Sequence, residues 1–405
     1  MIYAAILGYG TVGSGVAEVM HENREAIAKR TGEEIKVKYI LDLRDFPGDK
    51  FEDRLVHDVN VIMNDPEVKV VCETMGGVGA AYEFTKSALS AGKSVCTSNK
   101  ELVALHGAEL FELAKKNNCS YLYEASVGGG IPLIRPIVRS LTAEIIESIV
   151  GILNGTTNYI LTKMDREGAD FEDVLGQAQD LGYAERNPEA DIEGHDAARK
   201  ISILSSLMTG KRVDSECVSC EGITAVTPVD FEYAKSLGCS IKLLGISERA
   251  GDKVKVLVAP HMVPFSNPLS GVNDVFNAVV VNGNMVGQTM FFGRGAGSLP
   301  TASAVASDLI EAACNIGKCL GGGWSGESAQ LLSIDDSSVR YFVRVRTDAV
   351  SDISKKIPGG AVIRVQGDED DAGYLAPVMT EKEYKDAFSE LGDKVLGTIR
   401  MYGRE

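Results

Sequence analysis

No run of about 20 apolar residues, the length needed to cross a bilayer, occurs in the chain. Positive charge is also scarce: 41 Lys and Arg stand against 57 Asp and Glu, a formal net charge of -16. Binding to nucleic acid rests on a basic surface, so that class of partner is excluded, and no membrane partner is expected. There is no internal repeat and no low-complexity tract. The eight cysteines (Cys72, Cys96, Cys119, Cys217, Cys220, Cys239, Cys314 and Cys319) are scattered. Only Cys217 and Cys220 form a CxxC pair, and no second pair or nearby histidine completes a zinc site, so they read as reduced structural thiols. The opening segment MIYAAILGYG has no basic stretch ahead of its short apolar run, so it reads as a strand rather than a signal peptide. The expected location is cytoplasmic.

At 405 residues the chain is long for one core, and two or three domains are expected. Its first third alternates apolar strands (YAAILGYG, VKYILDL, VKVVCETMGG, KSVCTSN, CSYLYEA) with helical stretches, the pattern of βαβ crossovers and a parallel sheet. Then SIVGILNGTTNYI, VKVLVAPHMVP and FNAVVVNGNMVGQTMFF read as strands of a second, mixed sheet. Helices are expected over 171–181 and 192–208, and PTASAVASDLIEAACNIG reads as a further helix opened by proline. GGGWSGES (321–328) reads as linker, and the tail as βαββαβ, the ferredoxin-like order. The expected class is α/β. A dinucleotide-binding Rossmann domain covers 1–133 plus about 296–318, and an α+β substrate-binding and dimerisation domain covers 134–295. A linker at 319–335 then leads to a ferredoxin-like domain over 336–405.

Gly8-Tyr9-Gly10-Thr11-Val12-Gly13 is a GxGxxG placed between the first strand and the first helix. Gly8 permits the tight turn, Gly10 lets a pyrophosphate approach the backbone, and Gly13 allows close helix–strand contact. The N–H groups that open the helix then face the phosphates. At the end of the second strand Asp42 can accept hydrogen bonds from a ribose hydroxyl and disfavour a 2′-phosphate, and Arg44 can do the opposite. The cofactor is therefore NAD or NADP, with acceptance of NAD favoured. As a plain structural residue, Asp42 would merely cap a loop.

A second concentration of chemistry lies at 176–200. Asp191 stands where an N-cap belongs, ahead of IEGHDAARKISILSSLM. Asp196 and Lys200, four apart, share one helical face. An isolated surface ion pair has the same spacing and is worth little. Here, however, Glu185, Asp191, Glu193, Asp196 and Lys200 crowd one loop–helix junction in an apolar neighbourhood.

The pattern Ala178-x3-Gly182-Tyr183-Ala184-x3-Pro188-x2-Asp191-Ile192-x-Gly194-x-Asp196-x3-Lys200 resembles the signature segment of homoserine dehydrogenases. TSNKELVALHG (97–107), EASVGGGIPLI (124–134) and GRGAGSLPTASAV (293–305) resemble three further blocks of that family, so the likeness spans residues 1 to about 318. It implies interconversion of L-aspartate 4-semialdehyde and L-homoserine, a step in threonine, methionine and isoleucine biosynthesis. Lys200 and Lys100 match lysines that manage the proton on the reacting oxygen, and Asp196 matches a carboxylate that positions its helix-mate. Glu185, Asp191, Tyr183 and Thr156 match substrate-holding positions. Gly76, Gly77, Ser98 and Gly295, with Lys100, match the nicotinamide end of the cofactor site. Glu124, with the carbonyls of Val127, Gly129 and Ile131, matches a sodium site; oxygen-only ligands suit a hard cation, and a plain structural loop is the alternative.

The resemblance further implies a homodimer formed through the second sheet. The tail resembles an ACT domain, the amino-acid sensor often appended to this family. It has VRVRTDAVSDI where a glycine-containing effector loop is usual, so a contact or degenerate role competes with threonine sensing. Two rival readings remain open. A semialdehyde dehydrogenase working through a thioester would need an activated cysteine with a histidine base, and no cysteine here lies in such a motif. An amino-acid-binding regulator without catalysis would have no need of Lys100, Asp196 and Lys200.

Overall fold

The computed structural model describes residues 1–365 and 370–403. Its contacts divide the chain into two compact units: 1–146 with 202–215 and 283–329, and 147–201 with 216–282 and 330–405.

The first unit begins with β1 (Ile2–Leu7), α1 (Thr11–Glu22), α2 (Arg24–Thr31) and β2 (Ile35–Leu41). β3 (Leu55–Val56), α3 (Val59–Met63), β4 (Val68–Glu73) and α4 (Gly79–Ser90) follow. β5 (Ser94–Thr97), α5 (Lys100–Lys116) and β6 (Tyr121–Leu122) complete the run. The six strands lie parallel in the order β3-β2-β1-β4-β5-β6. The direction of winding reverses between β1 and β4, so the loops after these two strands flank the crevice where such sheets bind ligands. The last four residues of β1 and all of β4 except Lys69 are buried, as a sheet covered on both faces requires.

The second unit starts with β7 (Ile146–Ile152), α6 (Gly155–Glu167), α7 (Phe171–Asp180), the single turn α8 (Glu189–Ile192) and the first half of α9 (His195–Thr209), whose residues from Ser202 on belong to the first unit. β8 (Lys211–Arg212) also belongs to the first unit, and the second resumes with β9 (Ser219–Cys220), α10 (Pro228–Ser236), β10 (Cys239–Ala250), β11 (Lys253–Pro264) and β12 (Phe276–Gly283). β13 (Gly287–Arg294), α11 (Ser298–Cys314) and β14 (Ser325–Ser328) return to the first unit. There α11 packs Ala302, Val305 and Leu309 into the core that holds Val16 and Met20 of α1. The tail is β15 (Ser338–Arg346), α12 (Val350–Lys356), β16 (Ala361–Ile363), β17 (Asp371–Thr380), α13 (Glu381–Phe388) and β18 (Val395–Met401).

The tail thus has the expected βαββαβ order. Its strands form an antiparallel sheet in the order β18-β15-β17-β16. β18 also pairs in parallel with β11, at His261↔Arg400 and Met262↔Met401. The tail therefore extends the sheet β12-β7-β10-β11 inside one compact unit, where the sequence suggests a separate body behind a linker. Buried charges fasten it: Arg344 bonds Asp230 of α10 at 2.9 Å and Asp371 at 2.7 Å, and Arg400 bonds Glu221 at 2.6 and 2.7 Å.

Four local expectations need correction. SIVGILNGTTNYI is a strand only to Ile152; Asn154 then caps α6 by accepting from Thr157 N at 2.9 Å, a helix start that the β-branched residues obscure. The helix expected over 192–208 begins at His195, because Gly194 (φ 83°) breaks it from α8, so Asp191 lies within α8 and is no N-cap. GGGWSGES is no free linker: Ser325–Ser328 pairs with β8, and Trp324 is buried against Phe111 and Tyr123. AVIRVQ is a strand over Ala361–Ile363 only, and its last residue, Gln366, lies outside the described residues.

Candidate functional site

In the first unit a cleft of about 530 Å³ opens at the switch point, with Gly8, Gly10, Asp42, Arg44, His57 and Gly76 among its walls. Its floor is made by absent side chains. Gly8 has φ 94°, and a Cβ there would lie 2.9 Å from Met75 Cγ. A Cβ on Gly13 would fall 1.9 Å from the Gly8 carbonyl oxygen. Gly10 has open space where its side chain would be, and it precedes Thr11 and Val12 at the start of α1 with no side chain capping the helix. The first N–H groups of α1 thus face an open, positive helix end, which fits a pyrophosphate. Thr74 ties the loops across the switch point, its hydroxyl donating to the carbonyls of Leu7 (3.0 Å) and Gly8 (2.9 Å).

Asp42 accepts from Tyr9 N at 2.8 Å and is clamped by Arg44, whose Nε and Nη2 donate at 2.9 and 3.0 Å. This guanidinium holds the carboxyl well below the usual carboxylate range. Arg44 in turn rests over the Phe46 ring at 5.0 Å. The two residues with opposed expected effects on a 2′-phosphate are therefore one unit, in which the cation covers the anion.

At the ends of β4 and β5 lie Gly76, Gly77 (φ 72°), Ser98 and Lys100, the last opening α5. Asn99 joins the two loops by capping α5 through Leu102 N (3.1 Å) and donating to the Gly77 carbonyl (2.7 Å). The loop around Gly295 packs closely on residues 129–130: a Cβ on Gly129 would meet the Gly295 oxygen at 2.2 Å. The same loop leads into Ser298, which bonds the Thr11 carbonyl at 2.8 Å.

Glu124 is buried, and its carboxylate takes three backbone N–H groups. Oε1 accepts from Leu133 (2.5 Å) and Ile134 (2.7 Å), and Oε2 from Arg135 (2.8 Å). That leaves one lone pair, on Oε2, to add to the carbonyls of Val127, Gly129 and Ile131. The donor set suits a hard cation, but most of the carboxylate already serves the loop. Among the described residues no group of three or more His, Cys, Asp or Glu could hold a metal ion.

In the second unit the chemistry is carried by side chains. Lys200 on α9 is nearly buried; its Nζ donates to Asp196 Oδ2 at 2.7 Å and to the Leu153 carbonyl at 2.8 Å. Asn154 Nδ2 bridges Asp191 Oδ1 (2.7 Å) and Asp196 Oδ2 (2.9 Å). Nearby, the Thr156 hydroxyl donates to the Tyr183 carbonyl at 2.7 Å, and the Tyr159 and Tyr183 rings meet edge-on at 5.0 Å. The structure thus brings Lys200, Asp196 and Asp191 into one cluster and Thr156 and Tyr183 into contact. Glu185 is exposed, and among the described residues its backbone carbonyl accepts from Gln179 at 3.1 Å while its carboxylate has no partner.

Sequence reasoning missed Asn154 and the Leu153 carbonyl. Asn154 had a readable signal, an asparagine ahead of GTT at a helix start; a carbonyl acceptor has none. The CxxC residue Cys220 contacts the Glu193 carbonyl, and burial pushes its thiol up to about 11.

Family models described as the NAD binding domain of homoserine dehydrogenase and as homoserine dehydrogenase match residues 8–124 and 132–310. The homoserine dehydrogenase of Bacillus subtilis (strain 168) is 44% identical over 313 residues, 76% of this chain and 72% of that one. A crystal structure of a homoserine dehydrogenase from Thiobacillus denitrificans superposes with a TM-score of 0.89 at 36% identity, covering 99% of this chain and 98% of the other. A hyperthermophilic archaeal homoserine dehydrogenase in complex with NADPH has a TM-score of 0.66 at 29% identity, covering 77% of this chain and 97% of that one.

Proposed function

Because the chain belongs to the homoserine dehydrogenase family, we propose that Lys200 carries the proton step of its hydride-transfer reaction and that Asp42 with Arg44 sets its choice of nicotinamide cofactor. The single observation behind the first role is the two-point suspension of Lys200. Of the three N–H donors of an ammonium, Asp196 and the Leu153 carbonyl take two, and one remains for the reacting oxygen. The nicotinamide, when bound, accepts the hydride from the alcohol or returns it to the aldehyde. In reduction the Lys200 ammonium stabilises the developing alkoxide and donates its remaining proton to it, becoming the neutral amine; in oxidation that neutral amine takes the hydroxyl proton of homoserine and becomes the ammonium again. Asp196 keeps the ammonium oriented, and Asn154 holds Asp196 and Asp191 at fixed spacing. Lys100 is assigned the second lysine role in the proton step. Asp191 and Glu185 are assigned the substrate's α-ammonium, with Tyr183 and Thr156 shaping that end of the site.

Gly8, Gly10, Thr11, Val12 and Gly13 are assigned the pyrophosphate, and Gly76, Gly77, Ser98 and Gly295 the nicotinamide end. The clamp of Arg44 over Asp42 supports use of both cofactors: Arg44 is placed for a 2′-phosphate, and Asp42 becomes available to a 2′-hydroxyl when the guanidinium swings away. Glu124 with the carbonyls of Val127, Gly129 and Ile131 is assigned a structural cation, through the lone pair left on Oε2. The tail is assigned an ACT-like origin, with a structural role supported by its continuity with β11. The exposed apolar residues of β13, Met290 and Phe292, support a homodimer through that strand.

Initial rates of nicotinamide reduction with L-homoserine test this reading, with NAD and NADP measured side by side. Turnover with homoserine but not with threonine or glycerol is expected, with both cofactors used. A Lys200→Ala enzyme that binds homoserine and turns over normally would overturn the assignment of the proton step.

A further inference from the structure

Glu73, the last residue of β4, is wholly buried, and among the described residues it forms no salt bridge. A buried carboxylate without a cation is costly unless hydrogen bonds hold it. Its Oε1 accepts from Met75 N at 2.8 Å, and its Oε2 accepts from the Thr97 hydroxyl at 2.5 Å. That hydroxyl in turn accepts from Asn99 N at 2.9 Å, and the Asn99 amide reaches the Gly77 carbonyl at 2.7 Å. The neighbouring Thr74 bonds the Gly8 carbonyl at 2.9 Å. One closed chain of hydrogen bonds therefore joins the glycine loop, the loop 74–77 and the loop 97–100. Thr97 has its one proton committed to Glu73, which frees its lone pairs to hold Asn99.

We propose that Glu73 and Thr97 are positioning residues for hydride transfer: their hydrogen-bond chain sets the spacing between the loop bearing Gly76 and Gly77 and the loop bearing Ser98 and Lys100. This rests on the assignment of those loops to the nicotinamide end. Neither residue need touch the cofactor. Both oxygens of Glu73 act as acceptors here, and protonation places a donor on one of them, against the Thr97 hydroxyl or the Met75 N–H. Burial pushes this carboxyl up to about 7, so the accepting form is lost just below neutral pH. The groups facing it are Thr97 and Asn99 from the β5 side and Tyr121 from β6, whose hydroxyl is pushed up by burial and by the charge of Glu73; none of them is a cation.

Glu73→Gln preserves shape but turns an NH2 toward a hydroxyl that already accepts from Asn99, so Thr97 loses its acceptor. Displacing reacting groups by about 1 Å costs on the order of 100-fold in rate, so kcat for homoserine oxidation should fall about 10- to 100-fold, with KM and dinucleotide affinity changed much less. Thr97→Val should behave alike, and Thr97→Ser should recover most of that loss. In the unaltered enzyme kcat should fall as pH drops through about 7, and Glu73→Gln should lack this limb. Normal kcat in both Glu73→Gln and Thr97→Val overturns the proposal. So does a Thr97→Ser enzyme as slow as Thr97→Val, or loss of dinucleotide binding in step with kcat. If the unaltered enzyme fails to oxidise homoserine, the functional assignment falls first, separately from this one.

Discussion

The two sites of the chain are built from opposite materials. In the first unit the dinucleotide cleft is shaped by backbone: Gly8 and Gly13 leave room for a turn and a helix end, and the open space beyond Gly10 admits a phosphate. In the second unit the cluster around Lys200 is made of side chains that hold one another, Lys200 to Asp196 and Asn154 to both Asp191 and Asp196. The first kind of site is specified by steric exclusion, which depends on contact distance and tolerates almost no added atom. The second is specified by hydrogen-bond donors and acceptors, so a substitution can keep the shape and still remove the function. The two should therefore fail differently when altered, one through binding and stability and the other through turnover.

The sharpest separation should come from Lys200→Ala. In the role proposed for Lys200, its removal should lower kcat by about 10²- to 10⁴-fold, the range for loss of a group that handles a proton in the transition state, while NAD affinity stays close to normal. A matching loss of NAD affinity, seen by fluorescence titration, would erase the distinction between the sites. Gly13→Ala should do the reverse. Its Cβ would fall 1.9 Å from the Gly8 carbonyl oxygen, both backbone-fixed, so the loop must shift. Overpacking of this kind costs about 1–3 kcal/mol, to be read as a lowered Tm together with weakened dinucleotide binding. An alanine enzyme with unchanged Tm and NAD affinity would show that the turn is not sterically set.

Asn154→Ala tests the side-chain site more gently. It uncaps α6, at about 1 kcal/mol, and leaves Asp191 and Asp196 without their shared donor. Turnover should fall about tenfold, roughly 1.4 kcal/mol, with homoserine KM also raised. Asn154→Asp should be worse than alanine, since it adds a third carboxylate. The smallest effect is expected from Asp42→Ala, which frees Arg44 from its clamp. The ratio of NADP to NAD efficiency should rise by less than about tenfold, under about 1.4 kcal/mol; an unchanged ratio would show that neither residue reads the ribose.

Much of this is legible in the amino-acid order. The spacing Gly8-x-Gly10-x-x-Gly13 behind an apolar strand identifies the turn, because each glycine answers a separate steric need. The separation of Asp196 and Lys200 by four places them on one helical face, where the structure has them 2.7 Å apart. Other features resisted reading. Thr156, Thr157 and Asn158 look like strand continuation, yet they begin α6, because Asn154 and the packing of that helix outweigh local propensity. GGGWSGES has the composition of a linker, but Trp324 finds a pocket beside Phe111 and Tyr123 that only the folded first unit supplies.

Features that depend on neighbours within a turn or two are written in the amino-acid order: the glycine turn, the helical pairing of Asp196 with Lys200, and the βαββαβ order of the tail. Tertiary structure alone decided the rest. Nothing local shows that β18 adds to β11 and carries the tail into the sheet of the second unit, that the Leu153 carbonyl holds Lys200, or that Glu73 joins the loops after β4 and β5. The reason is physical. Steric and helical constraints act over a few residues and leave a spacing in the sequence, whereas a hydrogen bond between residues 24 or 47 positions apart leaves none until the chain has folded around it.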